Sequence, residues 1–256
     1  MKCIYPDMIT SITASEEDGS FPVANLSDDH PKKVWKGTSR DAVLTVVASA
    51  GGALAVIATN ATSITVAISS GQTLVWDTGI AWASGITWDT SGDQDTTELS
   101  TLPGDTTGAL WSQFAAARTG SFSATVTLTA AAGDTIQAGI VRCGTANDYK
   151  DPQYGIAEGL VDYSIVKELN NGATYFRKRD VVRTFDFKLL EDRDTDFYEF
   201  MLTVSKAMGP TPIAWRIRGT ATDNKWIVFA RHEQMPKGRH SSPDNSEIFI
   251  SLIEVL

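Results

Sequence analysis

The chain has 256 residues, 42% of them hydrophobic and 21% charged, enough for one large or two ordinary domains with cores of their own. Its 31 acidic against 22 basic residues leave a net charge of −9, which argues against a nucleic-acid-binding surface built on clustered Lys and Arg. No apolar run approaches a membrane span, the opening residues lack the apolar stretch of a secretory signal, and Cys3 and Cys143 are too few for a disulfide framework or a zinc site.

Read along the chain, the first half has period two. Residues 43–48 form a buried-strand run closed by Gly51 and Gly52, 54–59 follow as another run, and 63–68 alternate small polar with branched residues. Further strands are expected at 73–76, 121–129 and 136–142, with turn residues around 69–71 and 132–134. Residues 108–117 read as a single short helix or an extended loop wall. Short alternating strands at this spacing predict a β-sandwich or jelly roll.

A composition shift falls near the polar stretch 144–152. Residues 1–145 hold 7 basic and 14 acidic residues, net −7, and residues 146–256 hold 15 and 17, net −2. Two domains, 1–145 and 146–256, are therefore expected. In the second, 173–188 reads as one long strand or two joined by a bulge, after a turn at Asn170, Asn171 and Gly172. Apolar residues at 197, 200, 201, 204 and 208 fit an amphipathic helix ended by Gly209 and Pro210. Segments 212–218, 225–231 and 247–256 read as strands. The fold class is all-β: a jelly-roll or β-sandwich domain followed by a second β-rich domain with one helix.

Few residues offer chemistry. The histidines are His30, His232 and His240, and the eight-residue spacing of the last two across Met235-Pro236-Lys237-Gly238 suits a solvated loop rather than a metal site. No nucleophile elbow, phosphate loop or zinc-protease motif occurs, so no catalytic residue and no metal ligand is assigned, and no enzyme is expected. Cys143 follows a strand in apolar surroundings and reads as a small buried hydrophobe. The acidic loop 89–98 holds Asp93, Asp95 and Glu98, hard oxygen ligands of the kind calcium prefers, although such loops are common without an ion. These are also the only dense carboxylates a glycan-cleaving enzyme would have. Trp76, Trp82 and Trp88 stand six apart. They serve either as core or subunit contact, or as a platform on which a sugar stacks, with Trp82, Trp88, Asp93 and Asp95 then binding ligand. Arg177 and Arg179 share one strand face opposite Lys178. With Arg183 and Arg216 they are candidate subunit contacts, suited to protecting a sheet edge or to meeting the acidic first half of a neighbouring subunit.

Two resemblances add to this. Residues 12–15, then Phe21-Pro-Val-Ala-Asn-Leu-Ser-Asp28, then Lys32-Lys-Val-Trp-Lys36 resemble the opening of discoidin-like, galactose-binding-fold modules, over roughly residues 8–145. The resemblance implies a jelly roll with Trp35 in its core, a structural calcium in many relatives, and loops that bind sugars or lipid head groups. Residues 159–172, 178–183 and 209–215 resemble segments of tailed-bacteriophage tail proteins of the tail tip or baseplate, the distal tail protein among them. That implies a structural virion component, built in the host cytoplasm into the virion tail, which assembles in a symmetric ring or cluster with copies of itself and other tail proteins. The alternative is a carbohydrate-binding module that attaches the particle to bacterial surface glycan. Neither reading involves nucleic acid or membrane insertion.

Overall fold

A computed structural model describes residues 1–69, 95–98, 108–168, 174–218 and 226–255. The fold is all-β with one helix. By contacts the chain divides into two units, one formed by 6–28 and 33–146, the other by 1–5, 29–32 and 147–256. Both are discontinuous: the first five residues and 29–32 group with 147–256 rather than with the chain around them. In chain order the strands of the first half are β1 (Lys2–Asp7), β2 (Ile9–Ala14), β3 (Trp35–Lys36), β4 (Asp41–Ala48), β5 (Gly51–Thr59), β6 (Ala61–Ser69), β7 (Asp95–Glu98), β8 (Gly108–Arg118), β9 (Phe122–Ala130), β10 (Gln137–Ala138) and β11 (Ile140–Asp148).

The unit built on 6–28 and 33–146 is a β-sandwich. One layer runs β2-β4-β9-β6-β7 and the other β11-β5-β8, with β10 and β3 paired beside them, all antiparallel. Alternation sorts the side chains. Leu44 and Val46 on β4, Ile64 and Val66 on β6, and Ala124, Val126 and Leu128 on β9 point inward against Leu54 and Val56 on β5, Leu110 and Phe114 on β8, and Val141 and Cys143 on β11. Trp35 lies wholly inside this core. Residues 108–117 are neither helix nor loop wall but β8, with Leu110 opposite Val56 and Trp111 opposite Ala55. Ala-rich composition favours a helix there, but pairing with β5 and an inward Leu110 and Phe114 override it.

Arg142 closes one end of the sandwich from within. Its guanidinium donates to the Leu26, Val141 and Asp28 carbonyls at 3.3, 3.1 and 3.2 Å and lies 3.5 Å from the Asp7 carboxylate. Those bonds pin the 3-10 turn Val23–Ser27, whose Leu26 enters the core.

The other unit continues with β12 (Ala157–Asp162), β13 (Ile165–Glu168), β14 (Thr174–Arg177), β15 (Val181–Asp192), a helix α1 over 196–208, β16 (Ile213–Arg216), β17 (Ile227–His240) and β18 (Asn245–Glu254). Its sheet runs β12-β15-β18-β17-β16-β1. Phe197, Phe200, Val204 and Met208 of α1 are buried with Phe185, Phe187, Leu189, Trp215, Val228, Ile248, Ile250 and Leu252 of the strands. These helix residues follow the expected spacing. The middle of α1, Glu199–Ser205, is wound as a π-helix, and Gly209 ends it at φ +56°. Gly238 on β17 lets the Phe197 ring approach: a Cβ there would stand 2.3 Å from the ring.

Candidate functional site

β12 and β15 pair from Ala157 with Asp186 to Asp162 with Val181, yet β15 pairs with β18 only from Thr184 onward. Past that point β12 and β15 leave the sheet as a pair. β13 and β14 carry the pairing on, from Ile165 with Arg177 to Glu168 with Thr174. Between the two ladders one side advances from 162 to 165 and the other from 177 to 181, so one strand carries an extra residue. The bulge is fastened. The Ser164 N–H donates to Asp162 Oδ1 at 2.7 Å and the Arg179 N–H to Ser164 Oγ at 3.0 Å. Hydrogen bonds from Ser164 hold the Asp162 carboxyl below its usual range. Asp180, also in the bulge, bonds Lys32. The result is a two-stranded ribbon over 160–168 and 174–183, roughly 30 Å long at about 3.3 Å per residue.

What the ribbon presents is unusual for a free surface. Leu160 is 73% exposed, Val166 61% and Phe176 62%, and Tyr163, Tyr175 and Val181 are exposed as well. Register sets Val166 opposite Phe176 on one face and Lys167 opposite Tyr175 on the other. Every residue from Thr174 to Asp180 is exposed. Apolar groups thus lie on both faces, and neither face of β14 is covered. A two-stranded hairpin alone in water is at best marginally stable, and three strands or packing against another element are what normally hold one.

The arginines expected at subunit contacts divide by environment. Arg177 and Arg179 stand exposed on the ribbon with Lys178 between them, and neither has an ion-pair partner among the described residues. Arg183 is occupied within the chain. It meets Glu158 Oε1 through Nε at 3.0 Å and Nη2 at 2.7 Å, and its guanidinium carbon lies 4.7 Å from the centre of the Phe185 ring. Arg216 lies half-buried on β16, in register with Lys2 and Ile227 inside the sheet.

Comparison with known proteins assigns no family. No protein-family model matches the chain, and no curated protein does. Among solved structures, reduced XRCC1 bound to the catalytic domain of DNA polymerase beta is similar over 55% of this chain and 99% of that one, at 10% identity and a TM-score of 0.37. A chitosan-binding module from a chitosanase/glucanase of Paenibacillus sp. IK-5 is similar over 52% of this chain and 91% of its own, at 16% identity and a TM-score of 0.33. At such scores neither likeness bears on function, which has to be argued from the chain's own surface.

The other candidate residues lie elsewhere. Trp82, Trp88 and Asp93 are outside the described residues, as are Trp76 and most of the acidic loop 89–98 considered for calcium. Asp95 belongs to β7, in register with Val66. His232 and His240 flank no loop. Residues 232–240 run as part of β17, with register shifts on either side of Gln234. Pro236 fits there because these irregularities relieve the ladder of a donor at that point. His232 is buried beside Trp215, while His240 Nδ1 lies 2.7 Å from Ser246 Oγ. Among the described residues no three His, Cys, Asp or Glu side chains come together as a metal site, and no helix is long and apolar enough to cross a membrane.

Sequence reasoning singled out the basic residues of the ribbon but not Leu160, Tyr163, Val166, Tyr175 and Phe176. Their signal was present only as apolar residues set among charged ones in 160–168 and 174–183. Such a mixture says that a strand has two faces, not which of them is covered.

Proposed function

We propose that the chain is a structural subunit that assembles with copies of itself and with neighbouring proteins through the ribbon of 160–168 and 174–183, and is not an enzyme. The observation that carries this reading is the ribbon itself: beyond 162 and 181 it has two strands with no third among the described residues, and Leu160, Val166, Tyr175 and Phe176 are open to water. Full burial of such side chains stabilises a contact by about 1.5–3 kcal/mol each, and a partner laid along the ribbon supplies the packing that a lone hairpin lacks. Resemblance to tailed-bacteriophage tail proteins supplies the setting: a tail-tip or baseplate component, built in the host cytoplasm and working in a ring or cluster.

The test is the mass of the intact chain in solution across a concentration series, beside a variant in which 163–179 is replaced by a short turn. Discrete oligomers that the variant cannot form are expected. A wild-type chain that stays monomeric at every concentration, alone and with its tail neighbours, would overturn the reading. Binding to bacterial surface glycan that disappears in Trp82→Ala or Trp88→Ala, with no assembly, would put a carbohydrate-binding module in its place.

A further inference from the structure

The charges of the molecule are unevenly shared. Residues 6–28 and 33–146 hold 13 acidic and 5 basic residues, net −8, and the described ones among them hold 9 acidic and 5 basic, net −4. The remaining residues hold 18 acidic and 17 basic, net −1. Within that near-neutral unit the ribbon runs against the sign of the whole chain. Between 157 and 183 stand Glu158, Asp162, Glu168 and Asp180 against Lys167, Arg177, Lys178, Arg179 and Arg183. Arg183 is bound to Glu158 and Asp180 to Lys32. What remains for a partner is Lys167, Arg177, Lys178 and Arg179 against Asp162 and Glu168, a positive strip laid beside exposed aromatic and aliphatic side chains.

We infer that the ribbon of one copy docks on the acidic sandwich of the next, so that copies join head to tail through two different surfaces. This rests on the assembly reading above and names its partner. Contact between two ribbons would set the Arg177-Lys178-Arg179 strip against another of the same sign, whereas Glu17, Asp41 and Asp134, exposed on the sandwich, offer a second copy the opposite charge. Complementary potentials orient such contacts and speed their formation. The apolar residues beside the strip supply the desolvated centre that charge alone does not. A head-to-tail contact repeats from copy to copy and closes into a ring when its rotation allows, or grows into a filament when it does not.

A photo-crosslinking residue placed at Tyr175 in the full-length chain reads the contact directly. Peptides from intermolecular crosslinks are then assigned to the ribbon or to the sandwich. The expected partners lie within 6–28 or 33–146, and the doubly reversed variant Arg177→Glu, Arg179→Glu loses the crosslink while keeping its melting temperature. Raising salt from about 50 mM to about 500 mM is expected to weaken assembly by roughly tenfold or more, because screening shortens the reach of exposed charges. Crosslinks that run from ribbon to ribbon overturn this inference and leave ribbon-driven assembly standing. So does assembly that ignores both salt and charge reversal yet is lost in Phe176→Ser. A chain that neither associates nor crosslinks at any concentration overturns both.

Discussion

His232 is the residue whose surroundings most clearly set a measurable behaviour. It is 4% exposed, and neither ring nitrogen has a hydrogen-bond partner among the described residues. Its ring centre lies 5.6 Å from that of Trp215 and 6.4 Å from that of Phe200. Burial lowers its pKa from 6.5 to about 4. The folded value is below the unfolded one, so a proton favours the unfolded chain. The contribution of the neutral ring is therefore complete above about pH 6.5 and is lost as pH falls towards 4, to the extent of about 3 kcal/mol. Denaturant titrations near neutrality and near pH 4.5 are expected to show this loss, and His232→Phe to flatten the difference between them. An equal pH slope in the variant would remove His232 as its cause. Cys3 and Cys143 are buried, and desolvation pushes both thiols up to about 12. Thiolates are the reactive form, so a maleimide is expected to label neither cysteine until the chain is unfolded, as mass spectrometry would read. Ala58 sits in β5 at φ +58°, where a side chain is strained. Ala58→Gly is expected to leave stability unchanged or raise it by up to about 1 kcal/mol, against the loss that glycine brings in an ordinary strand.

At the scale of elements, α1 is held to its sheet at a point where a strand residue has no side chain. Gly238→Ala would press a methyl group into the Phe197 ring, and overpacking of this kind costs about 1–3 kcal/mol. Thermal unfolding is expected to move down accordingly, whereas Val166→Ser and Phe176→Ser on the exposed ribbon leave it unchanged. β4, β6 and β9 of the sandwich were readable in the sequence because each has one buried face, and period two follows from that geometry. α1 was readable for the same reason at its own period. β8 was not, because Leu110, Trp111 and Phe114 satisfy helical spacing as well as strand spacing, and only pairing with β5 decides between them. The run 232–240 looked like a loop since Pro236 and Gly238 interrupt strands elsewhere, while here irregular register and the nearby Phe197 accommodate both. The ribbon was half legible. Its charges stood out, and its apolar residues did not, because a sequence shows that a side chain is apolar without showing that nothing covers it.

For the whole molecule, one strand decides what can be cut. Met1 and Cys3 are buried in the same core as Phe200 and Trp215, and β1 pairs with β16 through Lys2–Arg216, Cys3–Trp215 and Ile4–Ala214. A fragment of residues 147–256 lacks this strand, so β16 becomes an exposed edge and its core loses two buried side chains. Such a fragment is expected to aggregate, or to bind a hydrophobic dye and melt without cooperativity, and a synthetic peptide of residues 1–7 to restore cooperative melting. Cooperative melting of the fragment by itself would show β1 to be dispensable. The same pairing has a meaning in time. Lys2 leaves the ribosome 214 residues before the Arg216 it must meet, an interval of about 10–40 s at ordinary rates of synthesis. All of the sandwich up to Ala146 is made within that interval, so β1 waits for its β16 partner until the sandwich is complete, and slower translation lengthens that wait.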